Sequence, residues 1–307
     1  MQNIIEVKNL TKIFGAKTVV DGIAFAVQRR SFFAFLGQNG AGKTTTINMI
    51  IGLLSRDGGE IVYDGSADFT AFKDKIGVVF QNNISDDLLT VEENLQTYGA
   101  LYIKSPAKLK KRMAEVMTLL ALDGFAKQRF KTLSGGQKRK VEIARALFMS
   151  PEILFLDEPT TGLDPKTRAD IWNIIYKLKN ERGMTIFLTT HYMEETAAAD
   201  QVNIIDKGRI IAAGSPAELK DEYAFDRLLI TPKDATTLER QLNEEKVRWE
   251  KTADTYTVRV GGAEESLSLL FRLKDNIRIF EAINGSMDDV FLNVVGEMSD
   301  QESKVAK

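Results

Sequence analysis

The chain has no cysteine, a single histidine and only two tryptophans in 307 residues. Without cysteine there is no disulfide and no thiolate-held metal, and a reducing cytosol is compatible with the composition. No apolar run approaches the roughly 18 residues that a spanning helix requires. The longest candidates, SFFAFLG and ILFLDEP, are short enough to be buried strands. If the protein works at a membrane, other chains cross the bilayer. The opening residues, MQNIIEVKNL, lack the basic segment and apolar core of a secretory leader. A dominant charge is missing too: the net charge is −2. No global positive field therefore draws the chain to nucleic acid or anionic lipid. With 44% apolar and 27% charged residues, the composition is that of a globular protein large enough for one main domain and a small appendage.

What is present has two characters. Residues 1–221 mix strands and helices. IIEVKNLTKIF and VVDGIAFAV read as early strands, and FFAFLG, IGVVF, ILFLD and TIFLTT are short, almost continuous apolar runs. Strands covered on both faces look like this. Ser105-Pro106 opens a helix with Leu109, Met113, Met117 and Leu120 on one stripe. Asp164-Pro165 opens another, closed by Gly183. From residue 222 to 307 the pattern is that of a small α+β domain, in the order strand–helix–strand–helix–strand–helix. In it TYTVRV is a half-buried strand, and Ser286 and Asp289 have capping-box spacing. The tail SDQESKVAK is expected to be disordered.

FLGQNGAGKTT follows an apolar strand and precedes the helical run INMIIGLL. It satisfies G-x-x-x-x-G-K-[ST] in the strand–loop–helix context that gives the motif meaning. Gly37, Gly40 and Gly42 let the backbone wrap closely around phosphate, with free amides and a helix N-terminus facing the negative charge. Lys43 supplies a point charge for β- and γ-phosphates, and Thr44 a hydroxyl for Mg²⁺.

In ILFLDEPTTGLDP, an apolar strand runs into Asp157 and Glu158 and is ended by Pro159. Buried strands seldom deliver adjacent carboxylates without a use for them, because unpaired buried charge is expensive. Open α/β sheets bind ligands at that end of their strands. Asp157 fits the acid that holds Mg²⁺, and Glu158 the general base that activates water. Asp164 is placed to cap the helix after it. His191, ending TIFLTT, reads equally as a polar strand end or as a γ-phosphate contact. Gln81, ending KIGVVFQ, is a neutral amide at another strand end.

A second glycine-rich turn, LSGGQ, opens a second helix, with Ser134 and Gln137 in capping-box spacing and Gly135 and Gly136 leaving the first amides uncovered. One nucleotide site does not need two such turns. The set GQNGAGKTT, VVFQ, LSGGQ, ILFLDEP, GLDP and TTH, in this order, resembles the ATP-binding cassette (ABC) ATPases over residues 1–220. The resemblance implies a P-loop α/β fold with a mixed sheet core, a helical subdomain and an antiparallel β subdomain. It implies that two chains stand head to tail around two ATPs. Ser134, Gly135, Gly136 and Gln137 would then cover the γ-phosphate held by the other copy's loop.

On the same resemblance Gln38, Asn39, Ala41 and Thr45 join the phosphate loop. Gln81 reaches Mg²⁺ and the attacking water, Asp164 joins the contact between sites, and His191 is a switch on the γ-phosphate. Phe14 stacks on adenine, where the family more often has tyrosine. The segment SMDDVFLNVVGE resembles the ending of ATPase subunits in the drug-resistance branch of ABC-2 type exporters. This implies a homodimer on the cytoplasmic face of the membrane, working with separate transmembrane permease subunits that dock on the helical segment between Gln81 and Ser134, and no nucleic-acid partner.

Rival readings fit less well. Soluble ABC ATPases of DNA repair carry a long coiled coil between the two glycine loops, and no sustained heptads occur here. Translation-associated relatives carry two cassettes, and this chain has one. A module that binds ATP without turnover would not need Glu158 and His191. The basic runs KLKKR and QKRK read as solvated helix faces.

Overall fold

The computed structural model describes residues 2–305. The chain forms two compact units, Met1–Ala213 and Gly214–Lys307. The first begins with a long hairpin, β1 (Asn3–Phe14) and β2 (Lys17–Gln28), followed by β3 (Phe32–Leu36), α1 (Lys43–Ile50), β4 (Gly58–Tyr63), the short α2 (Phe69–Phe72) and β5 (Ile76–Val79). Three helices follow, α3 (Val91–Tyr102), α4 (Pro106–Leu119) and α5 (Gly135–Leu147). Then come β6 (Ile153–Asp157), α6 (Pro165–Arg182), β7 (Thr185–Thr190), β8 (Gln201–Asp206) and β9 (Arg209–Gly214).

These strands make two sheets. An antiparallel one has the order β2-β1-β4, and a larger one the order β5-β6-β7-β3-β8-β9. In the larger sheet β5, β6, β7, β3 and β8 run parallel. The turn Lys207-Gly208, with both φ positive, folds β9 back on β8 as a two-residue hairpin. Every residue of β3, β6 and β7 is buried, which is why the three read as almost continuous apolar runs. Phe33, Phe155 and Phe187 pack across them as tilted ring pairs, with centroid separations of 5.0 and 5.1 Å. The apolar side of the antiparallel sheet joins the same core through Ile5, Val7, Val20 and Ile61.

The helix ends fall where the sequence puts them. Ser105 caps α4, with Leu109, Met113 and Met117 buried. Asp164 caps α6, and Gly183 closes it at φ 60. The strand order places β6, β7 and β3 side by side, so the phosphate loop, the two carboxylates and His191 all leave one edge of the sheet.

The second unit contains α7 (Pro216–Tyr223), β10 (Asp226–Pro232), α8 (Ala235–Glu244), β11 (Trp249–Thr252), β12 (Thr255–Val260), α9 (Ala263–Leu273), β13 (Ile277–Ile283) and α10 (Met287–Val305). The unit starts before α7, which packs against α10, so the division falls ahead of the one expected at 221/222. Its antiparallel sheet has the order β11-β12-β10-β13, a split β-α-β-β-α-β arrangement. The expected alternation of strand and helix omits β11. Three of the four β11 residues are exposed, so its sequence carries no apolar alternation. TYTVRV is the second arm of a hairpin that turns at Ala253, φ 54. Ser286 and Asp289 do form the expected cap. The tail expected to be disordered falls on residues whose side chains, and at the last two positions whose backbone, lie outside the described residues.

Candidate active site at the strand ends

The phosphate loop wraps a cavity of about 250 Å³ lined by Asn39, Gly40, Gly42, Lys43, Thr44 and Thr45, with Val19, Gln81 and Glu158 completing the wall. Gly40 and Gly42 have φ of 84 and 109, a region that other residues rarely enter. Gly37 is needed for space: a Cβ there would strike the Ile205 carbonyl oxygen and come within 3.2 Å of the Ala41 Cβ. Lys43 folds back along the loop and donates to the carbonyls of Gly37 (2.8 Å) and Gln38 (3.1 Å).

Glu158 is the hub. Its Oε1 lies 3.1 Å from Lys43 Nζ. Its Oε2 lies 3.3 Å from Gln81 Nε2, 3.2 Å from Thr161 Oγ1 and 3.2 Å from His191 Nδ1. Burial pushes the Glu158 carboxyl up, but the charge and hydrogen bond of Lys43, together with His191 and Thr161, outweigh it and hold the group below its ordinary value. The residue sits at φ 45, a left-handed conformation that costs a side-chain-bearing residue on the order of 1 kcal/mol. Its N–H donates to the Thr189 carbonyl (3.0 Å), and its own carbonyl accepts from Arg139 Nη2 (3.0 Å). The fold holds the strain in place.

Asp157 is 3% exposed and faces the other side of the strand end. Thr189 Oγ1 donates to it at 2.5 Å, and Thr44 Oγ1 lies 3.2 and 3.1 Å from its two oxygens. Hydroxyl and carboxylate thus converge as a pair of hard oxygen donors, of the kind Mg²⁺ takes with water and phosphate completing its shell.

The signature loop is built as its spacing suggests. Ser134 and Gln137 form a reciprocal cap, at 2.9 and 3.3 Å. Its glycines also have steric reasons. A Cβ on Gly136 would drive into Thr167 Cγ2, and one on Gly135 would come within 3.2 Å of Leu163. The loop therefore packs on the turn that starts α6, where Asp164 accepts from the backbone and hydroxyl of Thr167, at 3.0 and 2.5 Å. None of Ser134, Gly135, Gly136 and Gln137 lines the phosphate cavity of this chain. Phe14, 48% exposed, also stands outside that lining, with Lys12 Nζ 5.3 Å from its ring centre.

Several residues that matter here escape the sequence reading. The run QKRK is not a solvated face: Arg139 is 5% exposed. It donates to the carbonyls of Pro159 (2.5 Å), Phe80 (2.5 Å), Asp157 (3.1 Å) and Glu158 (3.0 Å). Burial pulls its guanidinium down to about 10, against the pull of Glu142, Asp157 and Glu195. Glu142 accepts the N–H groups of Ile84 and Ser85, at 3.0 and 2.9 Å, and Arg145 donates to the Val78 carbonyl at 2.7 Å. The signature helix thereby grips both flanks of Gln81 and the carboxylate turn. Glu195, 3% exposed, accepts from Thr160, Thr190 and Trp172. It ties the loop after Glu158 to the strand end before His191. The available signal was the four-residue periodicity of Arg139 with buried Ile143, and a glutamate a few residues past a strand of buried threonines.

Comparison with known proteins agrees. The family described as "ABC transporter" matches residues 20–161, and that described as "ATP-binding protein DrrA1-3-like, C-terminal domain" matches residues 214–295. The chain is 34% identical over 312 residues to the daunorubicin/doxorubicin resistance ATP-binding protein DrrA of Streptomyces peucetius, covering 97% of this chain and 94% of that protein. It is 40% identical over 230 residues to the linearmycin resistance ATP-binding protein LnrL of Bacillus subtilis (strain 168), covering 74% of each. It is 37% identical over 302 residues to the Nod factor export ATP-binding protein I of Paraburkholderia xenovorans (strain LB400), covering 96% and 98%. Among solved structures, cbiO1 from Clostridium perfringens, part of the cbiONQ transporter complex, superposes with a TM-score of 0.66 at 28% identity over 80% of this chain and 96% of that one. A dimeric ATP-binding cassette in a post-hydrolysis state with ADP and Pi superposes with a TM-score of 0.63 at 29% identity, over 69% and 98%. With its phosphate loop, paired carboxylates and signature turn arranged as described, the chain belongs to the ATP-binding subunits of ABC transporters and is an ATPase of that family.

Proposed function

We propose that this chain powers export of a drug, antibiotic, peptide or lipid-like substrate through separate transmembrane permease subunits. Two copies close on two ATPs at the cytoplasmic face of the membrane. Among the described residues no helix is long and apolar enough to cross a bilayer, and the relatives that match along nearly the whole chain are named for drug resistance or Nod factor export. The observation that carries the catalytic reading is the convergence on one buried carboxylate, Glu158, of Lys43, Gln81 and His191 within 3.3 Å.

In this reading the loop from Gly37 to Thr45 cradles the phosphates, and Lys43 leaves Glu158 for the β- and γ-phosphates. Glu158 takes a proton from the water that attacks the γ-phosphorus, the bond from that phosphorus to the β–γ bridging oxygen breaks, and ADP leaves with that oxygen, while Gln81 orients the water and His191 holds the γ-phosphate. Thr44, Asp157 and Gln81 hold Mg²⁺, whose charge when bound favours the charge developing on the phosphate oxygens. Phe14 stacks on adenine. Ser134, Gly135, Gly136 and Gln137 complete the partner copy's site, and Asp164 lies at the contact between copies. ATP closes the pair, and loss of the γ-phosphate lets it open.

The test is phosphate release and sedimentation of the purified chain and of Glu158→Gln. Slow turnover by the first, and loss of turnover with ATP-dependent dimers by the second, is the expected result. Unchanged phosphate release by the variant refutes the role given to Glu158.

A further inference from the structure

The C-terminal sheet buries one face. Leu228, Ile230 and Val258 pack with Leu238 and Leu242 of α8 and Leu269 of α9. Alternation along the strands sends their neighbours Arg227 and Arg259 to the opposite face. The strand register sets these two directly beside each other. The Arg259 N–H donates to the Arg248 carbonyl at 3.0 Å, which carries the β11–β12 ladder one residue further. Arg248, Arg259 and Arg227 therefore form one row across three adjacent strands.

Like charges directly opposed on neighbouring strands destabilise a sheet, and the chain offsets this row only in part. Arg227 Nη2 pairs with Asp289 Oδ2 at 3.0 Å, while its Nε is buried without an acceptor. The Arg259 guanidinium lies 5.5 Å from the Phe225 ring centre, and its donors have no hydrogen bond or ion pair among the described residues. The Arg248 side chain has no hydrogen bond or ion pair among the described residues. All three, with Thr257 and a single carboxylate, Glu250, line a cavity of about 310 Å³, the low end of ligand size.

We propose that this row is a binding site for a ligand carrying a phosphate group. Guanidinium forks match phosphate oxygens two at a time, and an anion between them turns a repulsive row into a bridged one. Glu250 reduces the local positive charge, so the site suits a mono- or diphosphate group rather than a longer polyanion. Two sources share this chemistry, a soluble phosphorylated small molecule and the headgroup of an anionic phospholipid.

The experiment uses the full chain with its nucleotide site saturated by ADP and magnesium, so that the phosphate loop does not respond to the probe. Pyrophosphate is titrated by calorimetry, and co-sedimentation is measured with phosphatidylcholine vesicles with and without phosphatidic acid. The wild type binds at least one probe, and Arg248→Gln and Arg259→Gln each weaken that binding about tenfold. Arg248→Gln, relieved of like-charge repulsion, also melts a degree or more higher than the wild type without probe, which separates lost recognition from lost folding. Pyrophosphate binding assigns a soluble ligand, and vesicle binding without it assigns a lipid headgroup. No binding of either probe, or equal binding by both variants, overturns the proposal.

Discussion

Lys43 Nζ stands 3.1 Å from Glu158 Oε1, in a pair whose side chains are only 4% and 6% exposed. The cation proposed for the phosphates is held by the carboxylate proposed as the base. ATP must draw Lys43 away, and Glu158 is then left to the water. Glu158→Gln removes the competing charge as well as the base. Its turnover falls by about 100-fold or more, while its Kd for ATP falls several-fold, as measured by fluorescent nucleotide titration. Weaker ATP binding by this variant would count against the competition.

Arg139 is the main support of the carboxylate turn. Arg139→Met leaves four carbonyls without their donor and costs roughly 3–5 kcal/mol in urea denaturation. Arg139→Lys rescues little of this, because an ammonium cannot span carbonyls set for a planar fork.

Glu195 positions the site without touching it. Glu195→Gln substitutes a donor amide where two threonine hydroxyls and the Trp172 indole all donate. We expect kcat to fall about tenfold with the Kd for ATP little changed, and Trp172 emission to shift. A fall in ATP affinity equal to the fall in kcat would place its effect in binding instead.

The signature glycines separate by sterics. Gly136→Ala collides with Thr167, whereas Gly135→Ala meets only Leu163 at 3.2 Å. Thermal melts of the isolated chain should show the first destabilised by about 1–3 kcal/mol and the second by clearly less. Gly136→Ala combined with Thr167→Ser, which removes the colliding methyl, recovers most of the loss.

Acid stability should depend on Asp64. Hydrogen bonds from Arg29 and then Lys75 hold its carboxyl below its ordinary value. A depressed folded pKa means the contribution is complete above the unfolded value, near 3.8, and is lost as pH falls through the lower folded one. Solvent screening keeps it small. Asp64→Asn therefore melts below the wild type near neutrality, and the gap narrows as the pH falls below the unfolded value, near 3.8.

Local chemistry made much of this protein readable in advance. Phosphate loops need glycine at fixed spacing, caps need a hydroxyl or carboxylate three residues before a partner amide, and strands buried on both faces are mostly apolar. Hence β3, β6 and β7, the loop from Gly37 to Thr45, the Ser134 cap and the carboxylates Asp157 and Glu158 are all visible in one dimension. The strand β11, solvated on nearly every residue, leaves no such trace.

What only the tertiary structure decided is which distant groups share a buried charge. Arg139 looks like its half-buried neighbours Lys138 and Lys140 until α5 is laid against the end of β6. Glu195 looks like a surface acid until β7 and α6 close over it. The arginines at 227, 248 and 259 lie far apart until strand register makes them a row. Burial and register are properties of pairs of segments, and a local pattern such as the spacing of Arg139 and Ile143 hints at burial without naming the partner.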